Sequence, residues 1–151
     1  MIADVAARLA AQARASDDAL GYFAAMYTRV TGHIGDGITA GSFRDAERMD
    51  LFATTFAGRY LDAMGSGPAR PRCWQATIDV AGDRHLIILQ HLLLGINAHV
   101  NHDLPLAVVT VAEATGDLQA VKPDFDAVND LLGAMVSELL GDLDRVARWA
   151  N

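Results

Sequence analysis

The side chains able to do chemistry are concentrated in one stretch. Between Arg84 and Asp103, the residues Gln90, His91, Asn97, His99, Asn101 and His102 interrupt an otherwise apolar run. Stepping about 100° per residue along an ideal helix, with His91 as zero, puts His102 near 20°, Gly95 near 40°, His99 near 80° and Asp103 near 120°. A second polar seam, of Gln90, Asn97 and Asn101, falls within about 240–280°. Leu93, Ile96, Val100 and Leu104 occupy the space between the seams.

His99 and Asp103 are four residues apart and therefore neighbours on one helix face, about 6 Å along the axis. An imidazole nitrogen and a carboxylate oxygen so placed are a pair that one divalent ion such as Zn, Mn or Fe can take. The same pair without metal is a base and the group that orients it. His102 is a further candidate ligand. His91 lies about 12 Å along the axis from His99, too far to share an ion on a straight helix. Gly95 leaves a gap between them, and Pro105 frees the carbonyl of Asn101, so a small pocket is expected there. The competing reading is structural: a histidine on an apolar helix is commonly a satisfied core residue, and the Gln90/Asn97/Asn101 amides are expected to bond to adjacent helices.

Helices must position these groups, because no segment shows the period-2 alternation of a strand. Ile2, Val5, Ala6 and Leu9 open a first helix. Ser16, followed by Asp17 and Asp18, reads as the N-cap of a second, with Leu20, Phe23, Tyr27, Val30 and Ile34 on its apolar face and Gly35-Asp36-Gly37 ending it. Ser42 is expected to cap a third helix with Met49, Phe52, Phe56 and Tyr60 on one side. Asp45 falls on that side and Asp50 at its edge, either a potential extra ligand though more simply a solvated acid. Tyr22, Tyr27 and Tyr60 read as core residues with a polar tip.

Gly65-Ser66-Gly67-Pro68 is a loop reaching to Pro71, and a short helix from about Arg72 to Val80 carries Trp74. The apolar helix starts after Gly82-Asp83, kinks or restarts at Pro105 and ends near Gly116. Asp124 is expected to cap a last helix with Val128, Leu132, Met135, Leu139 and Val146 as its stripe. His33 sits at a helix C-terminus, where the dipole favours a cation, and His85 has no evident partner. The result is an all-α, single-domain helical bundle of about six or seven helices spanning residues 1–151, with the polar-seamed helix at its centre.

Composition narrows the function. The 151 residues carry a formal charge of -7, with scattered basic residues, so nucleic acid is not expected as a partner. The one cysteine, Cys73, leaves no internal disulfide or thiolate metal site. The start, Met1-Ile2-Ala3-Asp4-Val5, lacks a secretory signal, and the polar interruptions of the run from Leu86 to Ala112 argue against a membrane span; a cytoplasmic location is expected.

The run from His91 to Asn101 followed by Asp103-Leu104 resembles the HLLLGxNAHxNxDL signature of a bacterial family of helical proteins of unknown function. Tyr22-Phe23-Ala24-Ala25-Met26-Tyr27, Phe56-Ala57-Gly58-Arg59-Tyr60-Leu61 and Cys73-Trp74 are similar to its other recurrent stretches. The resemblance implies a helical fold and supplies no activity. The position of His102 is not fixed as His in that pattern, which leaves His91, His99 and Asp103 as the better candidates. Zinc-dependent phospholipases and nucleases have Asp where Gly95 stands, HD-type phosphohydrolases need an upstream His missing between His33 and His85, and di-iron bundles need a Glu-x-x-His motif missing throughout.

The expected function is therefore a small-molecule enzyme with a site on His91, His99 and Asp103. Its first form is metal-dependent and hydrolase-like, with His99, Asp103, His91 and His102 as ligand candidates. Its second is a metal-free cyclase- or lyase-like enzyme. The alternative is a non-catalytic helical binding or oligomerisation module, and a homo-oligomer suits either.

Overall fold

The structure is a computed structural model that describes residues 1–65, 69–117, 119–130 and 133. In chain order the elements are α1 (Ile2–Ala15), α2 (Leu20–Thr39), α3 (Ala46–Gly65), α4 (Arg72–Asp79), α5 (Ile88–Ala98), a π-helical turn (His99–Asp103) and α6 (Leu104–Thr115). A further helical stretch, α7, covers 119–130. There is no strand among the described residues, and the all-α class holds.

Local chemistry explains several boundaries that differ from the sequence reading. Ser16 closes α1 rather than opening α2: its hydroxyl donates back to the Gln12 carbonyl, while Asp18 Oδ1 receives the Leu20 amide. The second helix does not stop at Gly35-Asp36-Gly37 but runs to Thr39. Gly37 serves close packing there, since a Cβ on it would stand 2.9 Å from the Phe43 ring; the turn itself falls at Gly41, with φ 71°. Asp45, not Ser42, caps α3 by accepting the Arg48 amide at 2.9 Å, and it pairs with the Arg48 side chain. Asp50 accepts the Ile2 amide at 2.8 Å and ties α1 to α3. Both acids thus have structural partners.

Asp124 is likewise not a cap. It lies inside α7, buried, and accepts the Arg44 amide at 2.8 Å and an Arg48 guanidinium hydrogen at 3.0 Å, which fastens α7 to the start of α3. Of the expected final stripe, Val128 is buried; Leu132, Met135, Leu139 and Val146 lie outside the described residues. The apolar helix starts at Ile88, later than Gly82-Asp83, because Asp83 Oδ1 takes the His85 amide and holds a turn. At Pro105 the helix restarts: the π turn ends, Pro105 occupies the first turn of α6, and Gly116 ends α6 with φ 75°.

α1 packs on α2 and α3, α2 on α3 and α5, α4 on α5, and α6 on α3. Leu9, Ala24, Met49, Ala57, Tyr60, Trp74, Ala107 and Val111, all 2 % exposed or less, mark where these faces meet. α5 itself is buried on one side only. His91, Gly95 and Ala98 face inward, whereas Leu89 and Leu93 are each more than 40 % exposed, as is Val100 in the π turn that follows. It forms a wall of the bundle, not its axis.

Candidate functional site

His99 and Asp103 both lie in the π turn, whose wider register is marked by the Leu104 amide bonding to the His99 carbonyl five residues back. The i, i+4 spacing does bring them together: His99 Nδ1 donates to Asp103 Oδ2 at 2.8 Å, and the side chains are 5 % and 1 % exposed. A carboxylate only accepts, so in the neutral ring the proton sits on Nδ1 and Nε2 carries the free lone pair.

Asp103 Oδ2 also accepts the Trp74 indole N–H from α4, again at 2.8 Å. Asp103 Oδ1 has Arg59 Nε of α3 at 3.7 Å, outside hydrogen-bond range. Around the imidazole is an aromatic shell. Phe56 stacks on it face to face at 3.7 Å between centroids, and Tyr27, Phe23, Trp74 and Tyr60 surround the pair at 4.5–6.2 Å.

Burial lowers the His99 pKa, opposed by the hydrogen bond and charge of Asp103 and reinforced by the Arg59 charge. The Tyr27 phenol is pushed well above its ordinary range, first by burial, then by the Asp103 charge and by Tyr60. Tyr60 is raised too, by burial and then by Asp18. The site thus favours a neutral imidazole beside neutral phenols.

Four side-chain atoms in this neighbourhood are buried without a hydrogen-bond partner: His99 Nε2, Asp103 Oδ1, Arg59 Nε and Tyr60 Oη. Such atoms cost roughly 1–3 kcal/mol each when left unpaired, and their grouping here is what makes this neighbourhood the candidate site.

His91 stands apart from this cluster. Phe23 of α2 presses on Gly95, where a Cβ would meet its ring at 2.6 Å, so the expected gap is filled by an aromatic side chain and is no pocket. On the other side of that contact, His91 Nε2 lies 3.3 Å from the Asp83 carbonyl. It lines an open cleft of about 670 Å³ with Asp17, Asp18, Tyr22 and Arg84. Tyr22 is exposed there and is not a core residue. His102 is half-buried, and no group of three potential metal ligands forms around it among the described residues. The second polar seam does not reach across to other helices. Gln90, Asn97 and Asn101 are exposed; Gln90 accepts the Ile87 amide at the start of α5, and Asn101 donates to Asn97 at 3.4 Å.

Among the described residues no group of three His, Cys, Asp or Glu side chains is placed to hold a metal ion. Asp103 Oδ2 is taken up by His99 Nδ1 and Trp74, while its Oδ1 has no hydrogen-bond partner. Trp74, Arg59 and Phe56 are the site residues that sequence reasoning missed. The one signal in the sequence was the indole N–H of Trp74, which needs an acceptor when it is buried.

The profile of a family described as "Family of unknown function (DUF5995)" matches residues 2–151. The chain belongs to this family. No curated protein and no solved structure matches it. The DUF5995 assignment agrees with the resemblance read from the signature and, like it, brings no activity. Among the described residues of this DUF5995 chain, no helix is long and apolar enough to cross a membrane.

Proposed function

We propose that this DUF5995 chain is a cytoplasmic small-molecule enzyme in which His99 Nε2 is a general base, oriented and electrostatically supported by Asp103. The observation that carries this reading is the asymmetry of the ring: Nδ1 is fixed by a 2.8 Å bond to a buried carboxylate, while Nε2 is buried and unpartnered. In the reaction an X–H bond of the substrate breaks, its electron pair stays on X, and the proton forms an Nε2–H bond. The imidazolium so formed is stabilised by Asp103. The placement of the pair on a π turn supports it, since such turns are rare and frequent at functional sites. The donor set fits a metal poorly, and no step here is routed through one.

The test is proton exchange in heavy water with a panel of small hydroxy and carboxylic acids, followed by NMR. Wild type should exchange a substrate C–H, and His99→Gln should slow it by about 10²-fold or more. Exchange equal in the two proteins overturns the reading. A rise in melting temperature with Zn, Mn or Fe(II) that His99→Ala abolishes would replace it with the metal-dependent form.

A second reading, an oligomerisation module, is favoured by one observation. From His85 to Ala112 the only Asp, Glu, Lys or Arg is the buried Asp103, so the outer face, where Leu89, Leu93, Val100 and Val109 are exposed beside Gln90, Asn97 and Asn101, carries no charge.

A further inference from the structure

The third helix directs three side chains at the pair: Phe56, Arg59 and Tyr60, at i, i+3 and i+4 on one face. Two of them are core residues. Arg59 is different, because its side chain is 32 % exposed although its Nε is buried. It therefore runs from solvent to the Asp103 carboxylate. At 3.7 Å the contact is an ion pair without a hydrogen bond, and both Arg59 Nε and Asp103 Oδ1 are left unpartnered.

An arginine that ends beside a carboxylate normally engages it by two parallel hydrogen bonds. Here it does not, and its planar fork retains donors for a second acceptor. His99 Nε2 needs the opposite, a donor, and belongs to the ring whose other nitrogen bonds the same Asp103 carboxylate that Arg59 approaches. One ligand answering both needs has an anionic acceptor at one end and a polarised hydrogen at the other. A single charge fits better than two, since Asp103 is already present and the chain carries -7.

We infer that Arg59 is the anion anchor of the site and that the ligand is a small monocarboxylic acid bearing a hydroxyl or acidic C–H, presented to His99 Nε2. This deepens the acid–base reading and rests on it. The carboxylate binds the Arg59 fork from the solvent side. The hydrogen-bearing carbon or oxygen then lies inward, in the plane of the imidazole where the Nε2 lone pair points, beneath the stacked Phe56 ring. Arg59 is a binding residue in this scheme and takes no proton.

The test uses the full-length protein with sodium glycolate, lactate and acetate as probes, and sodium chloride and inorganic phosphate as controls. Melting temperature is read together with the ¹⁵N resonances of the histidine rings. Saturable stabilisation by glycolate or lactate is expected, with the affinity about tenfold or more weaker in Arg59→Gln and partly restored in Arg59→Lys. Circular dichroism checks that both variants fold, and Arg59→Lys keeps the charge should the glutamine variant not fold. No saturable response to any carboxylate in wild type, or equal responses in wild type and Arg59→Gln, overturns the proposal. Stabilisation by phosphate equal to that by glycolate overturns the carboxylate assignment. The two readings separate cleanly. Arg59-dependent binding that leaves the His99 Nε2 resonance unmoved keeps the anchor and sinks the general base. Base-catalysed exchange without Arg59-dependent binding does the reverse.

Discussion

His99 has one nitrogen bound and one bare, and this determines how it responds to acid. Burial holds its pKa below the ordinary 6.5, with Asp103 pulling the other way. Between 6.5 and the folded value, the unfolded chain binds more protons at this residue than the native one. Its contribution to stability is therefore intact above pH 6.5 and is lost as the pH falls below it toward the folded pKa. Urea midpoints from pH 8 down to about 5.5 should show the advantage of wild type over His99→Gln shrinking with acidification. An advantage that grows on acidification would mean that the ring is held as the imidazolium in the native state.

At the scale of elements, the junction of α2 and α5 depends on Gly95. Alanine is ordinarily the better helix residue by about 1 kcal/mol. At Gly95, however, the added Cβ would lie 2.6 Å from Phe23 Cδ2 and 2.8 Å from Cγ, and Phe23 is only 3 % exposed, wedged between Tyr60, Trp74 and His99. Overpacking at such a site costs roughly 1–3 kcal/mol, so Gly95→Ala should lower the melting temperature despite its helix propensity. Gly58, inside α3, has open space where a methyl would stand, with nothing within 4 Å, and Gly58→Ala should stabilise by up to about 1 kcal/mol. Opposite signs in the two variants are the expected result; two stabilised proteins would mean that α5 does not rest on Phe23.

At the scale of the molecule, burial is uneven around the α5–α6 wall. Its inner side supplies Gly95, Ala98, His99, Asp103, Ala107 and Val111 to the interior, and its outer side leaves Leu93 at 47 % and Val109 at 51 % exposed. An uncharged strip of exposed apolar and amide side chains on an acidic protein is the surface on which two copies meet with least repulsion. If the module reading holds, light scattering should give a dimer whose mass falls to the monomer in the double variant Leu93→Glu, Val100→Glu. A wild-type chain that is monomeric at all concentrations removes that reading and leaves the enzyme reading in place.

Periodicity was enough for the helical class, for most helix cores and for the pairing of His99 with Asp103, because those depend on residues within one or two turns of each other. Pro105 and Gly116 could be read as a restart and a stop for the same reason: each acts on its own backbone. Other features depended on neighbours far along the chain. Gly95 looked like a gap until Phe23, 72 positions earlier, was seen to fill it. His91 shares a helix with His99 yet opens onto a separate cleft, since the Phe23 contact lies between them. Asp124 has the sequence signature of a cap and is instead held by Arg44 and Arg48. Trp74 and Arg59 join Asp103 from two other helices, and no local spacing encodes such meetings. The sequence determined which side chains share a face, because that is set by the helical repeat. Only the tertiary structure decided what each face meets, because burial, lost hydration and partner choice arise when helices pack.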